Sequence, residues 1–226
     1  MENREFNEKL LKIWKEHKEL VKTYPLLCPE FKKDCILFIG INPSFSNKAF
    51  KRMKESRLNE EKLKYPNFEE EKWIIGQAIK DEKEGKNIHP YFKKFIEIAR
   101  GIGQDWEHLD LFFFRETSQD KAKKMIEYKK GIRMNDFGLK QLKLSLETMK
   151  DIEPKVIVVS NALASDIIKN NTKIDSSRFN EEGFHRIYEN KTPIIFSSML
   201  TGQRALDNHS LERLIWIIKR ALNFIT

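Results

Sequence analysis

The sequence predicts an α/β fold: a three-layer α/β/α sandwich whose central sheet is mostly parallel and has about four strands. Short, uninterrupted apolar runs occur along the chain, as is typical of strands buried on both faces. Amphipathic helical segments alternate with these runs, and polar residues stand where each run ends. The 226 residues are expected to form a single domain, in which residues 1–30 form an N-terminal helix and lead into a core at 31–226.

The first predicted elements are a helix and a strand. Residues 3–22 are expected to form an amphipathic helix with Phe6, Leu10 and Trp14 near one face. The run Cys35-Ile-Leu-Phe-Ile-Gly40 contains no polar residue, and this predicts a buried strand at 35–40.

The middle of the chain is predicted to be mainly helical up to a second strand. The charged stretch at 47–85 is expected to be helical in pieces. Residues 90–100 are predicted to form a helix, because Pro90 suits a first turn and Gly101 suits the position just past a helix end. The apolar run Leu109-Asp-Leu-Phe-Phe-Phe114 is predicted to be the second strand.

The carboxyl-terminal part continues the alternation of helices and strands. Apolar periodicity indicates each element, and polar turn residues mark its ends. Asp207 or Asn208 is expected to cap the last helix. The predicted elements are helices at 119–129 and 136–150, a strand at 156–160, a helix from Asn161, strands at 184–188 and 193–198, and a helix from about Asn208.

Charge and cysteine content restrict the partners and the compartment. The 42 Lys and Arg exceed the 34 Asp and Glu by eight, which favours an anionic partner such as nucleic acid, or simply keeps a lysine-rich chain in solution. Cys28 and Cys35 lack the spacing of a zinc site and fit a reducing compartment. No apolar run is long enough to span a bilayer, and the first residues contain no apolar signal core. A cytoplasmic protein without membrane contact is therefore expected.

The most informative stretch is the turn Gly40-Ile-Asn-Pro-Ser44 at the end of the first strand. Gly40 permits a close approach to the backbone, and Pro43 stiffens the turn and favours an extended Asn42. Polar clusters also follow the other predicted strands, at 115–119, at 160–161 and at 197–203. Because ligands of open α/β sheets bind at the carboxyl ends of the strands, a site is expected there.

Several common motifs are absent from the sequence. It contains no Walker loop, no complete glycine-rich dinucleotide motif, no HExxH and no GxSxG elbow. The five histidines are scattered without ligand spacing. The chain is therefore expected to use no cofactor and no metal.

The turn resembles the first motif of the uracil-DNA glycosylase superfamily, in particular the Gly-Ile-Asn-Pro sequence of its mismatch-specific branch. The likeness continues in order over roughly residues 30–224. Asp110–Thr117 is similar to the second strand of that family, and Val156–Ala164 is similar to its third strand and following helix. Ile195–Gly202 stands in the place of the last motif, a loop that enters the DNA helix.

This resemblance implies a uracil-DNA-glycosylase-like fold in a monomeric protein. It also implies an enzyme that flips a damaged or mismatched base out of DNA and hydrolyses its N-glycosidic bond. The amide of Asn42 is expected to position the attacking water, since an amide cannot act as a strong base. The implied residues are Asn42 and His209 for catalysis, Gly40, Ile41, Phe45, Glu116, Thr117 and Asn161 for binding the base, and Ser44, Lys48, Ser198, Met199, Leu200, Gln203 and Arg204 for binding DNA.

The last motif departs from the pattern of the family. The usual His-Pro-Ser or Asn-Pro-Ser is replaced by a loop that begins Ser198-Met-Leu200 and contains no histidine, whereas His209 comes later. A non-catalytic nucleic-acid or nucleotide-binding module on the same fold is therefore an alternative, and a small-molecule transferase is a third. Structural roles are alternatives for single residues: Asn42 as a turn cap, Asn161 as a helix cap and Glu116 as a solvated or paired carboxylate at a strand end.

Overall fold

The computed structural model describes residues 3–21, 25, 27–43, 86, 90–116, 118–129, 134–189, 191–202 and 205–223. The chain divides into two compact units. Unit 1 is drawn from Met1–Glu30, Asn42–Gly85 and Asp110–Leu146, and unit 2 from Phe31–Ile41, Lys86–Leu109 and Glu147–Thr226. The helical pieces predicted at 47–85 lie outside the described residues.

Helices and strands alternate along the described chain, as predicted. None of the helices in the described ranges is long and apolar enough to cross a membrane. The elements are α1 (Arg4–Glu16), β1 (Ile36–Gly40), a 3-10 turn (Pro90–Phe92), α2 (Lys93–Ile102), β2 (Trp106–Asp110), α3 (Gln119–Met125), α4 (Asp136–Asp151), β3 (Val156–Val159), α5 (Ala162–Asn171), α6 (Phe179–Glu182), β4 (His185–Ile187), β5 (Thr192–Phe196) and α7 (Asn208–Ala221).

The strands form a five-stranded sheet with the order β2-β1-β3-β5-β4. β1, β3 and β5 run parallel, with Leu37 beside Ile157 and Ile157 beside Ile194. β4 pairs with β5 in the antiparallel direction at one edge. The α/β class and the mostly parallel sheet are therefore confirmed, with five strands where about four were expected.

Side chains cover the inner strands of the sheet on both faces. Ile36 and Phe38 pack in one apolar cluster with Phe95 of α2 and Ile218 of α7. Residues of a strand alternate between the two faces, and Leu37, which lies on the opposite face, is also fully buried. This burial is compatible with a three-layer arrangement and explains the uninterrupted apolar run of β1.

Unit 1 has an aromatic core along α1. The ring of Phe6 lies 5.1 Å from that of Phe113, and Trp14 lies 5.0 Å from Phe137, both edge-on. α1 ends at Glu16, six residues before the predicted end, because the backbone N–H of His17 turns back to the carbonyl of Trp14 at 3.2 Å.

One predicted helix end also shifts by two residues. Gly101 lies inside α2, and the residue past the end of the helix is Gly103. Gly103 has a φ of 73°, the left-handed conformation that ends many helices and that glycine adopts without strain.

The second strand was predicted in the wrong place. It spans Trp106–Asp110, and residues 111–114 are buried without strand pairing. Two side chains of α4 hydrogen-bond to this segment: Gln141 Oε1 accepts from the N–H of Phe113 at 2.8 Å, and Ser145 Oγ donates to the carbonyl of Leu111 at 2.9 Å. Because helix side chains satisfy these backbone groups, the apolar run is buried without becoming a strand.

Candidate functional site

Asn42 follows the end of β1, and its side-chain amide is tied to the segment at 114–116. Nδ2 donates to the backbone carbonyl of Glu116 at 2.6 Å and lies 3.2 and 3.4 Å from the carbonyls of Pro43 and Phe114. An amide nitrogen carries two hydrogens, so the short bond uses one and the two longer contacts share the other. These bonds fix the orientation of the amide and leave Oδ1 as its acceptor.

Glu116 contributes its backbone and its carboxylate to the same turn. Its N–H donates to the carbonyl of Pro43 at 3.2 Å. Its Oε1 accepts from the N–H of Ser118 at 3.0 Å, and Ser118 is the N-cap of α3. The carboxylate therefore takes part in the start of a helix.

In unit 2, the carboxyl ends of three parallel strands meet at one edge of the sheet. The N–H of Ser160 donates to the carbonyl of Ile39 at 2.9 Å, and the N–H of Ser197 donates to that of Val159 at 2.9 Å. Gly40 and Ile41 therefore lie level with the polar residues that follow β3 and β5. Both are buried, so main-chain groups are what they can offer to a ligand.

Asn161 caps helix α5. Its Oδ1 accepts from the N–H groups of Leu163 and Ala164 at 2.9 and 3.1 Å, and its side chain is buried. Two of the orphan N–H groups of the helix are satisfied in this way. The capping alternative therefore describes what the side-chain oxygen of Asn161 does in this structure.

The loop after β5 is closed by a main-chain hydrogen bond from Leu206 N–H to the carbonyl of Met199 at 2.9 Å. Ser198 is exposed and Met199 is half-buried. Leu200 is 4% exposed and belongs to the apolar cluster of α2 and α7. The expectation that Leu200 binds DNA needs correction, because its side chain is part of the protein core; Met199 is the more accessible apolar residue of the pair.

His209 lies in the first turn of α7, which Asp207 caps. Its side chain is 97% exposed, and Nδ1 is 4.0 Å from the carboxylate of Glu212. Such exposure gives the imidazole no fixed orientation, so this structure does not build a catalytic group there. The other predicted site residues, namely Ser44, Phe45, Lys48, Thr117, Gln203 and Arg204, lie outside the described residues.

No protein-family model matches the chain. No curated protein matches it either. Within the described ranges, no group of three or more His, Cys, Asp or Glu side chains is arranged to hold a metal ion.

Sequence reasoning missed a group of rings in unit 2. Phe179 stacks on His185 with ring centroids 4.4 Å apart, and His185 lies 5.5 Å from Phe196. A signal was present, because Phe179 is an isolated aromatic residue in the polar run 175–182. The short helix α6 that presents it was not predicted, since four residues are too few for a periodic pattern.

Proposed function

We propose that this chain is a uracil-DNA-glycosylase-like protein, with the three-layer fold of that family, which hydrolyses the N-glycosidic bond of a damaged or mismatched base flipped out of DNA. The observation that carries the proposal is the fixed amide of Asn42, whose nitrogen donates to the carbonyl of Glu116 at 2.6 Å. In the chain it comes two residues after a central parallel strand, and α/β proteins bind ligands where such strands end.

The role of Asn42 in this proposal is to position water. With Nδ2 engaged by carbonyls, Oδ1 accepts a hydrogen bond from a water O–H and turns the lone pair of the water toward C1′ of the sugar. The C1′–N bond breaks first, giving an oxocarbenium-like sugar and a base that leaves with the electron pair. The water oxygen then bonds to C1′, and its proton ends on the departing base or in solvent.

The departing base anion needs hydrogen-bond donors. In this proposal, main-chain N–H groups after Gly40 bind an oxygen of the base, as backbone donors do in oxyanion holes. The loop after β5 has no histidine to add a donor, and His209 is 97% exposed. Loss of one such donor costs about 10²–10³ in rate, so the proposed enzyme is slow.

The net charge of +8 suits a polyanionic partner and makes binding to DNA dependent on salt. Ser198, which is exposed, and Met199, which is half-buried, are proposed to contact the DNA. Met199 takes the role of wedge between base steps, which apolar side chains fill in proteins that distort DNA.

The test is base excision by the intact chain on oligonucleotides that carry uracil, a mismatch or hypoxanthine, with abasic product measured after alkaline cleavage. We expect Asn42→Ala to lower the rate by about 10²-fold. Asn135→Ala is a matched control, because Asn135 Nδ2 also donates to a carbonyl, that of Met125 at 2.9 Å, but outside the proposed site. Product no greater than that of Asn42→Ala on any substrate would contradict the proposed activity.

A second candidate is a non-catalytic nucleic-acid-binding module on the same fold. The exposed imidazole of His209 favours it, because the residue nearest in sequence to the missing histidine is not held in place. Affinity for DNA that falls steeply with salt, together with no abasic product, is the result expected for this candidate.

A further inference from the structure

Three rings form a continuous surface in unit 2, which we call the ring row: Phe179, His185 and Phe196. Phe179 and His185 are nearly parallel, at 16°, with centroids 4.4 Å apart. His185 and Phe196 are tilted by 60° at 5.5 Å. Phe179 is 41% exposed, and the other two rings are half-buried. An exposed face at the end of a stack of rings can accept one more flat ring.

The ring row lies at the edge of the sheet where the parallel strands end. Phe196 is the last residue of β5 and pairs in register with Val159, the last residue of β3. His185 opens β4 opposite Ile194. The rings are thus at the carboxyl end of the strands, where Gly40 also lies.

Positive charge accompanies the rings. Lys169, from α5, is an exposed residue, and its Nζ lies 4.3 Å from the centroid of Phe196. The carboxylate of Glu182, at the end of α6, is already bound by Arg178 and Arg186 at 2.9 Å. The surface therefore presents an accessible cation beside Phe196, and the carboxylate at the end of α6 is neutralised; this complements a phosphate.

His185 is held in place and is suited to stacking. Its Nδ1 and Oγ of Ser176 are 2.9 Å apart. Burial, and secondarily the charge of Lys169, lower the pKa of His185. The imidazole is therefore neutral at neutral pH, and a neutral flat ring stacks without the cost of desolvating a charge.

We propose that the ring row is a stacking surface for single-stranded nucleic acid, in which a base packs on Phe179 and Lys169 contacts a phosphate of the same strand. Aromatic platforms beside cations bind single strands in this way with little sequence preference, because every base has a π-face. The proposal goes beyond base excision, since it concerns an undamaged single strand and uses none of the residues around Asn42.

The test measures fluorescence anisotropy of the full chain with labelled strands of about ten nucleotides, a length typical of such surfaces. The probes are oligothymidylate, oligouridylate and an abasic strand of the same length that keeps the phosphates but has no bases. The deoxy and ribo strands distinguish DNA from RNA. No probe contains a damaged base, so failure of excision and failure of this proposal are independent results.

We expect Phe179→Ala to weaken binding of the thymidylate or uridylate strand by about fivefold to about a hundredfold and to leave binding of the abasic strand unchanged. Phe179→Leu keeps an apolar side chain without a π-face and is expected to weaken binding similarly. Phe179→Trp keeps a π-face and is expected to retain binding. Leu139→Ala is the control, because Leu139 is 48% exposed, close to the exposure of Phe179, and lies in unit 1.

Lys169→Gln tests the phosphate contact separately. It is expected to reduce the slope of log affinity against log salt by about 0.7, the value for one phosphate contact on a single strand.

The proposal is overturned if the wild type fails to bind both base-bearing strands at low salt, if Phe179→Leu binds them as the wild type does, or if Phe179→Ala weakens binding of the abasic strand equally. An unchanged salt slope in Lys169→Gln removes the assigned role of Lys169. Thermal unfolding of each variant confirms that it is folded under the assay conditions.

Discussion

The amide nitrogen of Asn42 donates a hydrogen bond of 2.6 Å to the backbone carbonyl of Glu116. A second bond, from the N–H of Glu116 to the carbonyl of Pro43 at 3.2 Å, runs in the opposite sense. Together they tie the turn after β1 to the segment before α3. Asn42 therefore has a structural role that can be measured apart from any catalytic one.

We predict that Asn42→Asp is less stable than Asn42→Ala at neutral pH. Alanine loses the bond to Glu116, at a cost of about 1 kcal/mol, whereas an ionised Asp faces carbonyl oxygens that it cannot donate to, at a cost of about 2–3 kcal/mol. The pKa of that Asp would lie above its usual value of about 3.9.

The stability of Asn42→Asp relative to Asn42→Ala should therefore rise as the pH falls through the raised pKa and the acid regains a donor. Urea unfolding of both variants at neutral pH and at about pH 4 measures this difference. An Asp variant as stable as the Ala variant at neutral pH would contradict the donor role of the amide nitrogen.

His108 is predicted to make the protein sensitive to mild acid. Burial, with a smaller effect from the charge of Lys86, lowers the pKa of His108 from 6.5 to about 3. The unfolded chain therefore binds a proton below about pH 6.5 that the native state does not bind. Above that pH, His108 does not change the free energy of unfolding. As the pH is lowered toward 3, the free energy of unfolding falls by up to about 1.4 kcal/mol per pH unit.

His108→Phe should remove this dependence while keeping a ring among Tyr91, Phe92 and Phe95, whose centroids lie 5.8, 5.2 and 5.6 Å from that of His108. Between about pH 7.5 and pH 5, the unfolding free energy of the wild type is expected to fall by about 2 kcal/mol more than that of the variant. Equal decreases in the two proteins would show that His108 is not the group responsible.

Both cysteines are predicted to be unreactive in the native chain. Cys28 is 5% exposed and Cys35 is fully buried. Burial, assisted by the charge of Glu107, raises the pKa of the Cys35 thiol to about 12, so its thiolate is scarce at any pH of assay. A disulfide reagent at about pH 8 should titrate almost no thiol before denaturation and both thiols after it. Prompt labelling of a native thiol would contradict the burial of Cys28 or of Cys35.

Lys86 and Glu107 form a buried ion pair in unit 2. Nζ lies 2.5 Å from Oε1, and the side chains are 14% and 7% exposed. Glu107 also accepts from the backbone N–H groups of Lys32 and His108 at 3.0 and 2.8 Å. Glu107→Gln should cost about 3 kcal/mol, because it takes the opposite charge away from a buried ammonium.

The double variant Lys86→Met, Glu107→Gln is expected to lose less stability than Glu107→Gln alone, since no buried charge is left in need of a partner. Urea unfolding of the two single variants and the double variant gives the coupling energy. A coupling near zero would mean that the pair does not interact in solution as it does in the structure.

The strands β1 and β3 were predictable because burial on both faces requires apolar residues at every position. The runs 35–40 and 156–160 consist of apolar residues apart from Gly40 and Ser160 at their ends. Each observed strand is one residue shorter than its run. Caps were also predictable, since Asp207 accepts from the N–H of Ser210 at 2.9 Å by a local contact that sequence spacing alone permits.

The strand β2 was not predictable from the same rule. Glu107 and His108 are polar residues inside that strand, and their burial depends on partners distant in sequence, such as Lys86. In the apolar run that follows, Gln141 and Ser145 of α4 hydrogen-bond to the backbone in place of a strand partner. An apolar run indicates that a segment is buried, but the source of its backbone hydrogen bonds decides its conformation.

By itself, the sequence determined the α/β class, the central strands and the placement of Asn42 just after a buried strand, because these follow from local apolar patterns and turn residues. Only the tertiary structure decided that Leu200 belongs to the core, that the amide of Asn42 faces the carbonyl of Glu116, and that Phe179 stacks on His185. Each of these joins residues through the fold, and the side chains that a folded chain brings together leave no periodic trace in its sequence.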